Sequence, residues 1–184
     1  MRFGDLVFVT SNLGKLREAE EVLGHKLDHR ALDLVEVQSL SLDEVVRHKA
    51  RSAFERLRAP VLVEDTSLEL VGLGGFPGPL VRWLLVSVGA AGICRLAHAF
   101  SDPRATARCM ACATDGYDEV IGVGVVRGVI REVPSGHRGF GWDSAFVPEG
   151  SSRSFGEMEG PEKNAVSHRR KAFEALRDQL ASGL

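Results

Sequence analysis

The sequence predicts an α/β fold built around a mixed β-sheet, and three patterns in its 184 residues support that class. An apolar run at 6–10 leads through a polar turn into a helical pattern, as in the first half of a β-α unit. A second apolar run at 61–64 follows another helical pattern, which continues the alternation of strand and helix. Two β-rich runs at 105–114 and 120–133 are joined by a turn-like Asp-Gly pair, so an antiparallel hairpin is expected there.

The first two helices are predicted from the caps at their N-termini. Ser11 and Asn12 precede a helical pattern over 14–23, and such side chains accept hydrogen bonds from the free N–H groups of a first turn. Ser41 and Glu44 form an S-x-x-E capping box. The second helix is expected to end at about residue 58, and the stretch 27–38 before it is ambiguous. The glycine- and proline-rich segment 65–79 can contain at most a brief strand. Short helices are expected within 80–100, and a last helix over 162–181.

The composition is that of an ordinary globular chain. Hydrophobic residues make up 44% of it, which is enough to bury a core, and the length suits a single domain over residues 1–184. Lysine and arginine total 23 against 25 acidic residues, so no basic excess favours a nucleic-acid partner. We expect neither a signal peptide nor an apolar window of the ~18 residues that span a bilayer, and therefore no membrane partner.

The three cysteines bear on redox chemistry and compartment. Cys109 and Cys112 have C-x-x-C spacing, which permits metal or redox chemistry, but they lie in a β-like apolar run without a second pair. Together with Cys94 they are predicted to be buried, reduced thiols. A reducing cytoplasm is the compartment that this usage favours.

Cations lie on two predicted helices at positions that face or border the core. Arg169 falls in the middle of the apolar stripe of the last helix, and Lys49 lies at the edge of the apolar face of the second helix. The Arg169 guanidinium could reach solvent from a packed stem, or the helix could face a cleft in which it grips a carbonyl or phosphate. Two inward cations favour a shared anionic ligand, since an unpaired buried charge is costly. The stripe consists of Val166, Phe173, Leu176 and Leu180.

Acidic residues at the end of an expected strand could complete such a site. Glu64 and Asp65 follow the apolar run at 61–63, and functional groups in open α/β sheets gather at the carboxyl ends of strands. Adjacent strand residues face opposite sides, so one of the pair can point into a cleft while the other is held by the structure. An acidic turn is the alternative. A carboxylate beside inward lysine and arginine predicts a Mg²⁺–phosphate complex with the acid on the metal.

Two loops have ligand-binding character. The first expected strand ends in TSNLGK before a helix, a geometry in which free N–H groups meet phosphate, although the Walker pattern is absent. Phe140 and Trp142 flank Gly141 and precede Asp143, which is more typical of a platform for stacking a base than of a core.

Several motifs in this order resemble the inosine triphosphate pyrophosphatases, also called the Ham1 or RdgB-like family. They are TSNLGK, VEDTSLELVGLGGFPGP, GFGWDSAFVPEG, SFGEM and EKNAVSHRRKA, and together they run through nearly the whole chain. The VEDT and FGWD forms are similar to the eukaryotic and archaeal branch rather than to the usual bacterial one, which tends to carry DDSG and a tyrosine in place of the tryptophan.

The resemblance implies Mg²⁺-dependent hydrolysis of ITP, dITP or XTP between the α and β phosphates, with Mn²⁺ as an alternative metal. The products would be the monophosphate and pyrophosphate, and the role would be to cleanse the nucleotide pool of deaminated purines. The family fold is elongated, with two lobes around a long mixed sheet flanked by helices and the site in the cleft between them. Small-molecule purine nucleoside triphosphates and a second copy in a homodimer are the implied partners.

The same resemblance assigns roles to individual residues. It implies Asp65 as a metal ligand that orients or deprotonates the attacking water, and Glu36 as the second metal ligand, with Glu44 as the alternative. Lys15, Lys49 and Lys163 would neutralise charge on the pyrophosphate leaving group. The implied substrate contacts are Thr10, Ser11, Asn12, Lys15, Lys49, Thr66, Arg82, Phe140, Gly141, Trp142, Asp143, Lys163, His168 and Arg169.

Two positions depart from the family pattern. Ser11 stands where glycine is usual, and its Cβ could narrow the phosphate turn or its hydroxyl could add a donor. Arg82 stands where some relatives have lysine.

Two other functions are also considered. One is a Maf-like nucleotide pyrophosphatase, which prefers pyrimidine or modified substrates. The other is a non-catalytic nucleotide-binding protein, which the intact set of carboxylates and lysines argues against.

Overall fold

A computed structural model describes residue 1 and residues 3–182 of the protein, which form a mixed sheet flanked by helices. The strands are β1 (Val7–Val9), β2 (Asp28–Arg30), β3 (Val61–Leu70), β4 (Pro77–Gly78), β5 (Arg104–Thr114), β6 (Glu119–Ile130) and β7 (Phe146–Pro148). The order across the sheet is β2-β1-β3-β5-β6-β7, and β4 pairs with β3. Pairing of β1 with β2 and β3 is parallel, whereas β3 to β7 pair antiparallel, which confirms the predicted α/β class and the hairpin of β5 and β6.

The helices within the described residues are α1 (Leu13–Leu23), α2 (Leu42–Leu57), α3 (Val81–Ala99), α4 (Gly160–Val166) and α5 (His168–Ser182). The predicted cap of α1 is confirmed, because the Asn12 side chain accepts hydrogen bonds from two N–H groups of the first turn. Ser41 likewise accepts from the Glu44 N–H at the start of α2. The reciprocal arm of that capping box is replaced by Ser39, whose hydroxyl accepts from the Ser41 N–H and donates to Glu44.

The last helix expected over 162–181 is divided at Ser167. The backbone of Ser167 is extended (φ −74°, ψ 151°), so α5 starts in a new helical phase. Val166 therefore lies outside the apolar stripe and is 42% exposed, whereas Phe173 is buried. The prediction for Val166 is wrong, but the inward direction of Arg169 is confirmed, since this residue is only 2% exposed and does not reach bulk solvent.

Strand β3 is longer than the run at 61–64 predicted. It continues to Leu70 because its whole length pairs with β5. Glu64 and Asp65 therefore lie within the strand, and their predicted position at its end is wrong. The parallel pairing with β1 nevertheless stops at Leu62, so both acidic residues lie just beyond the parallel part of the sheet.

Two glycines of β6 allow α5 to lie directly on the sheet. A Cβ on Gly124 would be 1.9 Å from the carbonyl oxygen of His168, and one on Gly122 would be 2.1 Å from that of Ala172. No side chain larger than hydrogen fits such an approach without movement of the helix. The position of Arg169, one residue after His168, therefore depends on two strand glycines to which sequence analysis assigned no role.

The core occupies both faces of the sheet, and the cysteines belong to it. Cys94, Cys109 and Cys112 are buried and free, which confirms the prediction. Burial raises the pKa of the Cys112 thiol to about 12, so this group stays protonated at neutral pH.

Helix α3 carries both buried and exposed apolar residues. Its 19 residues have a mean hydropathy of 1.2 and meet the length and composition of a membrane span, so the expectation that no segment would do so is wrong. Gly89, with φ 65° and ψ −179°, interrupts the helix and confirms two short helices in this region. Ile93 packs in the core, whereas Trp83 and Val86 are 57% and 76% exposed.

Candidate active site

A cleft with a volume of about 920 Å³ opens beside the end of β1. One part of the lining, the turn end, consists of the segment 10–15 together with Lys49. Another part, the aromatic end, consists of the segment 140–143 together with Arg169, and its Phe140 ring lies against Gly14 of the turn end. The cleft brings together nearly all residues that sequence analysis selected. These lining residues are Thr10, Ser11, Asn12, Lys15, Glu36, Lys49, Asp65, Thr66, Arg82, Phe140, Gly141, Trp142, Asp143, His168 and Arg169. Lys163 and Glu44 do not line the cleft.

The turn end is built by the cap of α1. The side-chain oxygen of Asn12 accepts hydrogen bonds from the backbone N–H groups of Gly14 and Lys15. The backbone N–H of Asn12 donates to the Thr10 hydroxyl at 3.1 Å. The exposed Ser11 lies between them at the tip of the turn. Such an N-terminus presents backbone donors and the positive end of the helix dipole, which favour an anion.

Two carboxylates meet at one ammonium group beside this turn. The Nζ of Lys49 lies 2.9 Å from Oε1 of Glu36 and 3.3 Å from Oδ2 of Asp65. Oδ1 of Asp65 accepts a hydrogen bond from the Thr66 N–H at 2.8 Å. Glu36 therefore reaches the cleft from the irregular segment 31–41, whereas Glu44 is exposed and engaged by a serine hydroxyl.

The ionisation of these groups follows from their neighbours. Burial would raise the pKa of the Asp65 carboxyl, but the charges of Lys15 and Lys49 and the Thr66 N–H outweigh it and lower the pKa to about 2. Burial would likewise lower the pKa of the Lys49 ammonium, but Asp65 and Glu36 outweigh it and raise the pKa. Asp65 and Lys49 are therefore both charged at neutral pH.

Arg82 lies across the cleft from Lys49, on the other side of Glu36. Its Nη1 is 3.6 Å from Oε2 of Glu36, and its side chain is 75% exposed. This exposure leaves the guanidinium free to turn toward a ligand, because a surface ion pair of this kind contributes little.

The aromatic end combines a half-buried ring with a buried one. The Phe140 ring faces both cations of this end, with Lys163 Nζ 4.8 Å and Arg169 Cζ 5.4 Å from its centroid. Trp142 is only 6% exposed and packs against Phe146 and His168, with centroid distances of 5.6 and 5.4 Å. Trp142 thus belongs to the core as well as to the cleft wall, and Phe140 is the accessible ring.

Lys163 lies behind the aromatic end rather than at the turn end. Its Nζ is 2.7 Å from Oδ2 of Asp143 and 2.5 Å from Oε1 of Glu18. Burial raises the pKa of the Asp143 carboxyl, and Lys163 and the Phe140 N–H offset this only in part. This position lets Lys163 hold Asp143 in place, and its contact with the leaving group stays a prediction.

Glu18 is the site residue that sequence analysis missed. Its carboxylate pairs with Lys163 and with the Nη1 of Arg169, and so links α1 to α4 and α5. The available signal was its spacing, since Glu18 lies three residues after Lys15 and therefore on the same face of α1.

His168 brings an uncharged polar ring to the cleft wall. Both ring nitrogens are buried and have no hydrogen-bond partner among the residues that the structure describes, and the ring stacks on Phe155 with an interplanar angle of 22°. Burial, together with the charges of Arg169 and Lys163, lowers the pKa of the imidazole well below its usual value. His168 is therefore neutral at pH 7 and has unused hydrogen-bonding capacity.

The geometry defines a cleft for an elongated anion that carries an aromatic group. Positive charge and backbone donors lie at the turn end, acidic side chains lie beside them, and a ring with a guanidinium forms the adjoining aromatic end. The family model of the Ham1 family matches residues 6–179, and the chain belongs to this family.

Curated relatives cover almost the full length. The chain is 44% identical over 176 residues to inosine triphosphate pyrophosphatase 2 of Trypanosoma cruzi, covering 94% of this chain and 90% of the relative. It is 42% identical over 175 residues to the dITP/XTP pyrophosphatase of Hyperthermus butylicus, covering 93% and 92%. Among solved structures, a HAM1 protein from Coxiella burnetii matches with a TM-score of 0.78 and 27% identity, covering 96% and 99%.

Proposed function

We propose that this protein hydrolyses ITP, dITP or XTP to the monophosphate and pyrophosphate, and so clears deaminated purines from the nucleotide pool. The observation that carries the proposal is the convergence of the turn end, the acidic pair Glu36 and Asp65, and the aromatic end in one cleft. The family and the printed activities of the relatives support this substrate class. A Maf-like base preference or binding without catalysis would use the same cleft, and the experiment below separates them.

Mg²⁺ is the metal that we propose, with Mn²⁺ as the alternative. The residues that the structure describes contain no group of three or more His, Cys, Asp and Glu side chains suited to holding a metal. The pair Glu36 and Asp65 suits Mg²⁺, because this ion often binds through one or two carboxylates together with substrate phosphates and water. Glu36 and Asp65 would hold it, and when bound it would neutralise phosphate charge.

The charged side chains of the cleft would bind the phosphates and orient the attacking water. Lys15 and Lys49 would bind phosphoryl oxygens and stabilise the charge that develops on pyrophosphate. Asp65, whose carboxylate lies beside both lysines, would orient or deprotonate the attacking water. Arg82, on the open side of the cleft, would close over the phosphates.

Selection of the base would fall to the aromatic end. Phe140, the more exposed of the two rings, would stack with the base, and Arg169 would donate toward an O6 acceptor that adenine lacks. Glu18 occupies Nη1 of Arg169, so the guanidinium is held in one orientation before a ligand binds. Preorganised donors lose less entropy on binding, which strengthens discrimination.

We also propose a homodimer, a cytoplasmic location and a single domain of two lobes. The exposed apolar side of α3, with Trp83 and Val86, supports an interface, since such a patch is unusual on a monomer. The apolar α3 is then a helix of the folded domain that a second copy would cover.

The decisive experiment measures pyrophosphate release from ITP, with and without Mg²⁺. We expect turnover only with the metal, and a preference for ITP and XTP over ATP, CTP and UTP. A pyrimidine preference would support the Maf-like alternative, and binding without turnover would support the non-catalytic one.

Asp65→Asn tests the proposed role of the carboxylate within this activity. We expect a loss of at least ~10²-fold in kcat, because the uncharged amide neither holds the metal nor orients water. Asp118→Asn, at the exposed tip of the β5–β6 hairpin, is the matched control and should retain wild-type turnover. Near-native kcat in a folded Asp65→Asn protein would show that this role is wrong.

A further inference from the structure

Glu64 is a buried acid of β3 to which the roles above assign nothing. Its side chain is 1% exposed, and it does not line the cleft. Strand alternation turns the next residue, Asp65, toward the cleft and leaves Glu64 behind it. A carboxylate that solvent cannot reach needs a cation or a hydrogen-bond donor beside it, because an unpaired buried charge is strongly unfavourable.

Three groups from three different elements meet this carboxylate. Nζ of Lys15, from α1, lies 2.8 Å from Oε1, and Nε of Arg169, from α5, lies 3.6 Å from Oε2. The Cys109 thiol of β5 donates to Oε2 at 3.2 Å. Within the described part of the chain, neither Oε1 nor the Arg169 Nε has a hydrogen-bond partner, so both cation contacts are ion pairs.

The two cations belong to different parts of the cleft lining. Lys15 lies at the turn end, and Arg169 lies at the aromatic end beside Phe140. Among the carboxylates of residues 3–182, Glu64 alone contacts both of them. One buried carboxylate therefore contacts a cation from each of the two parts of the cleft lining.

We propose that Glu64 is a positioning residue that couples the turn end to the aromatic end by holding Lys15 and Arg169 with a single carboxylate. The proposal rests on the proposed hydrolysis of purine nucleoside triphosphates. Glu64 acts through the two cations and does not touch the substrate. Loss of its charge therefore changes phosphate binding and base preference together.

The charge and the reach of this side chain can be varied separately. Glu64→Gln keeps the size but removes the charge, and its amide group would place N–H donors against the donors of Arg169 or Cys109. Glu64→Asp keeps the charge on a stem that is one methylene shorter, and the flexible stem of Lys15 can follow it. The aspartate variant should therefore lie between wild type and Glu64→Gln in both readouts.

Each end of the cleft has its own probe. Competitive inhibition by tripolyphosphate, which has no base, reports on the turn end, and the ratio of kcat/KM for ITP and ATP reports on the aromatic end. For Glu64→Gln we expect the ITP-over-ATP ratio to fall at least ~10-fold and the Ki of tripolyphosphate to shift at least ~3-fold. A purely structural role would lower thermal stability and leave both readouts unchanged.

Glu69→Gln is the matched control, because it makes the same change on the same strand. Glu69 pairs with Arg108 and Ser67, outside the cleft, so both readouts should equal those of wild type. If Glu64→Gln leaves either readout at the wild-type value, the coupling does not exist. If this variant does not fold, a double-mutant cycle of Lys15→Met and Arg169→Met replaces it: non-additive losses in kcat/KM are expected, and additive losses would overturn the proposal.

Wild-type turnover of ITP with Mg²⁺ is measured first, so that the two proposals fail separately. Absence of turnover counts against the proposed function. The coupling is then tested by calorimetric binding of tripolyphosphate and of ITP to wild type and Glu64→Gln, where both affinities are expected to change. A change in neither or in only one would overturn the role of Glu64.

Discussion

The carboxylate of Glu36 lies 2.9 Å from the Nζ of Lys49, so the irregular segment 31–41 is tied to α2 across the cleft. The same ammonium lies 3.3 Å from Asp65, which places two acids from distant parts of the chain around one cation. Glu36 and Asp65 are the carboxylates that would hold the proposed metal, whereas Glu44 is exposed and bonded to Ser39.

Glu36→Gln should raise the Mg²⁺ concentration that gives half-maximal activity by about 10-fold, because the site loses one of its two anionic ligands. Mg²⁺ titrations of ITP hydrolysis measure this effect. Glu44→Gln is the control and should match wild type, since Glu44 is exposed and bonded to Ser39. The opposite outcome, with Glu44→Gln impaired, would transfer the ligand role to Glu44.

Arg169→Ala should reduce the preference for ITP over ATP by at least ~10-fold, since the donor that distinguishes a keto group from an amino group is lost. The measurement is kcat/KM for both nucleotides, with thermal denaturation to verify folding. Arg170→Ala is the neighbouring control, because Arg170 pairs with Glu174 away from the cleft. Equal losses on ITP and ATP would instead make Arg169 a phosphate ligand.

The buried imidazole of His168 should make stability depend on pH. Its pKa is lowered well below 6.5 by burial, Arg169 and Lys163, so the folded state resists protonation that the unfolded chain accepts. Stability is therefore full above about pH 6.5 and falls below it, by up to about 1.4 kcal/mol per pH unit from this group. Urea unfolding between about pH 5 and pH 7 measures the slope.

His168→Gln should flatten that slope, and His137→Gln, at an exposed loop position, should not. If the slope persists in His168→Gln, other groups cause it, and the account of a neutral buried imidazole is incorrect.

Gly124→Ala should destabilise the protein by about 1–3 kcal/mol, because its methyl group would meet the backbone of α5 at 1.9 Å. Urea unfolding gives the change in free energy of unfolding. Gly4→Ala is the control, since among residues 3–182 no atom beyond its chain neighbours lies within 4 Å of a Cβ there, and its stability should equal or slightly exceed that of wild type. Unchanged stability of Gly124→Ala would mean that α5 can move away from the sheet at little cost.

Local patterns accounted for much of the fold. The Asn12 cap, the β5–β6 hairpin and the buried cysteines depend on residues that are close in sequence, and each was confirmed. Where the fold differs from the sequence-based prediction, pairing between distant strands is the cause. β3 extends to Leu70 only because β5 pairs with all of it, and no local pattern predicts that length.

By itself, the sequence determined which residues form the cleft, because capping side chains, helical phase and ordered motifs are readable over short spans. It could not decide how the charges pair. Glu18 meets Lys163 across 145 positions, and Lys163 in turn meets Asp143 of the aromatic end. A buried charge must be paired, because its removal from water is costly. Which cation meets which acid depends on how the helices pack on the sheet, and only the tertiary structure decides that.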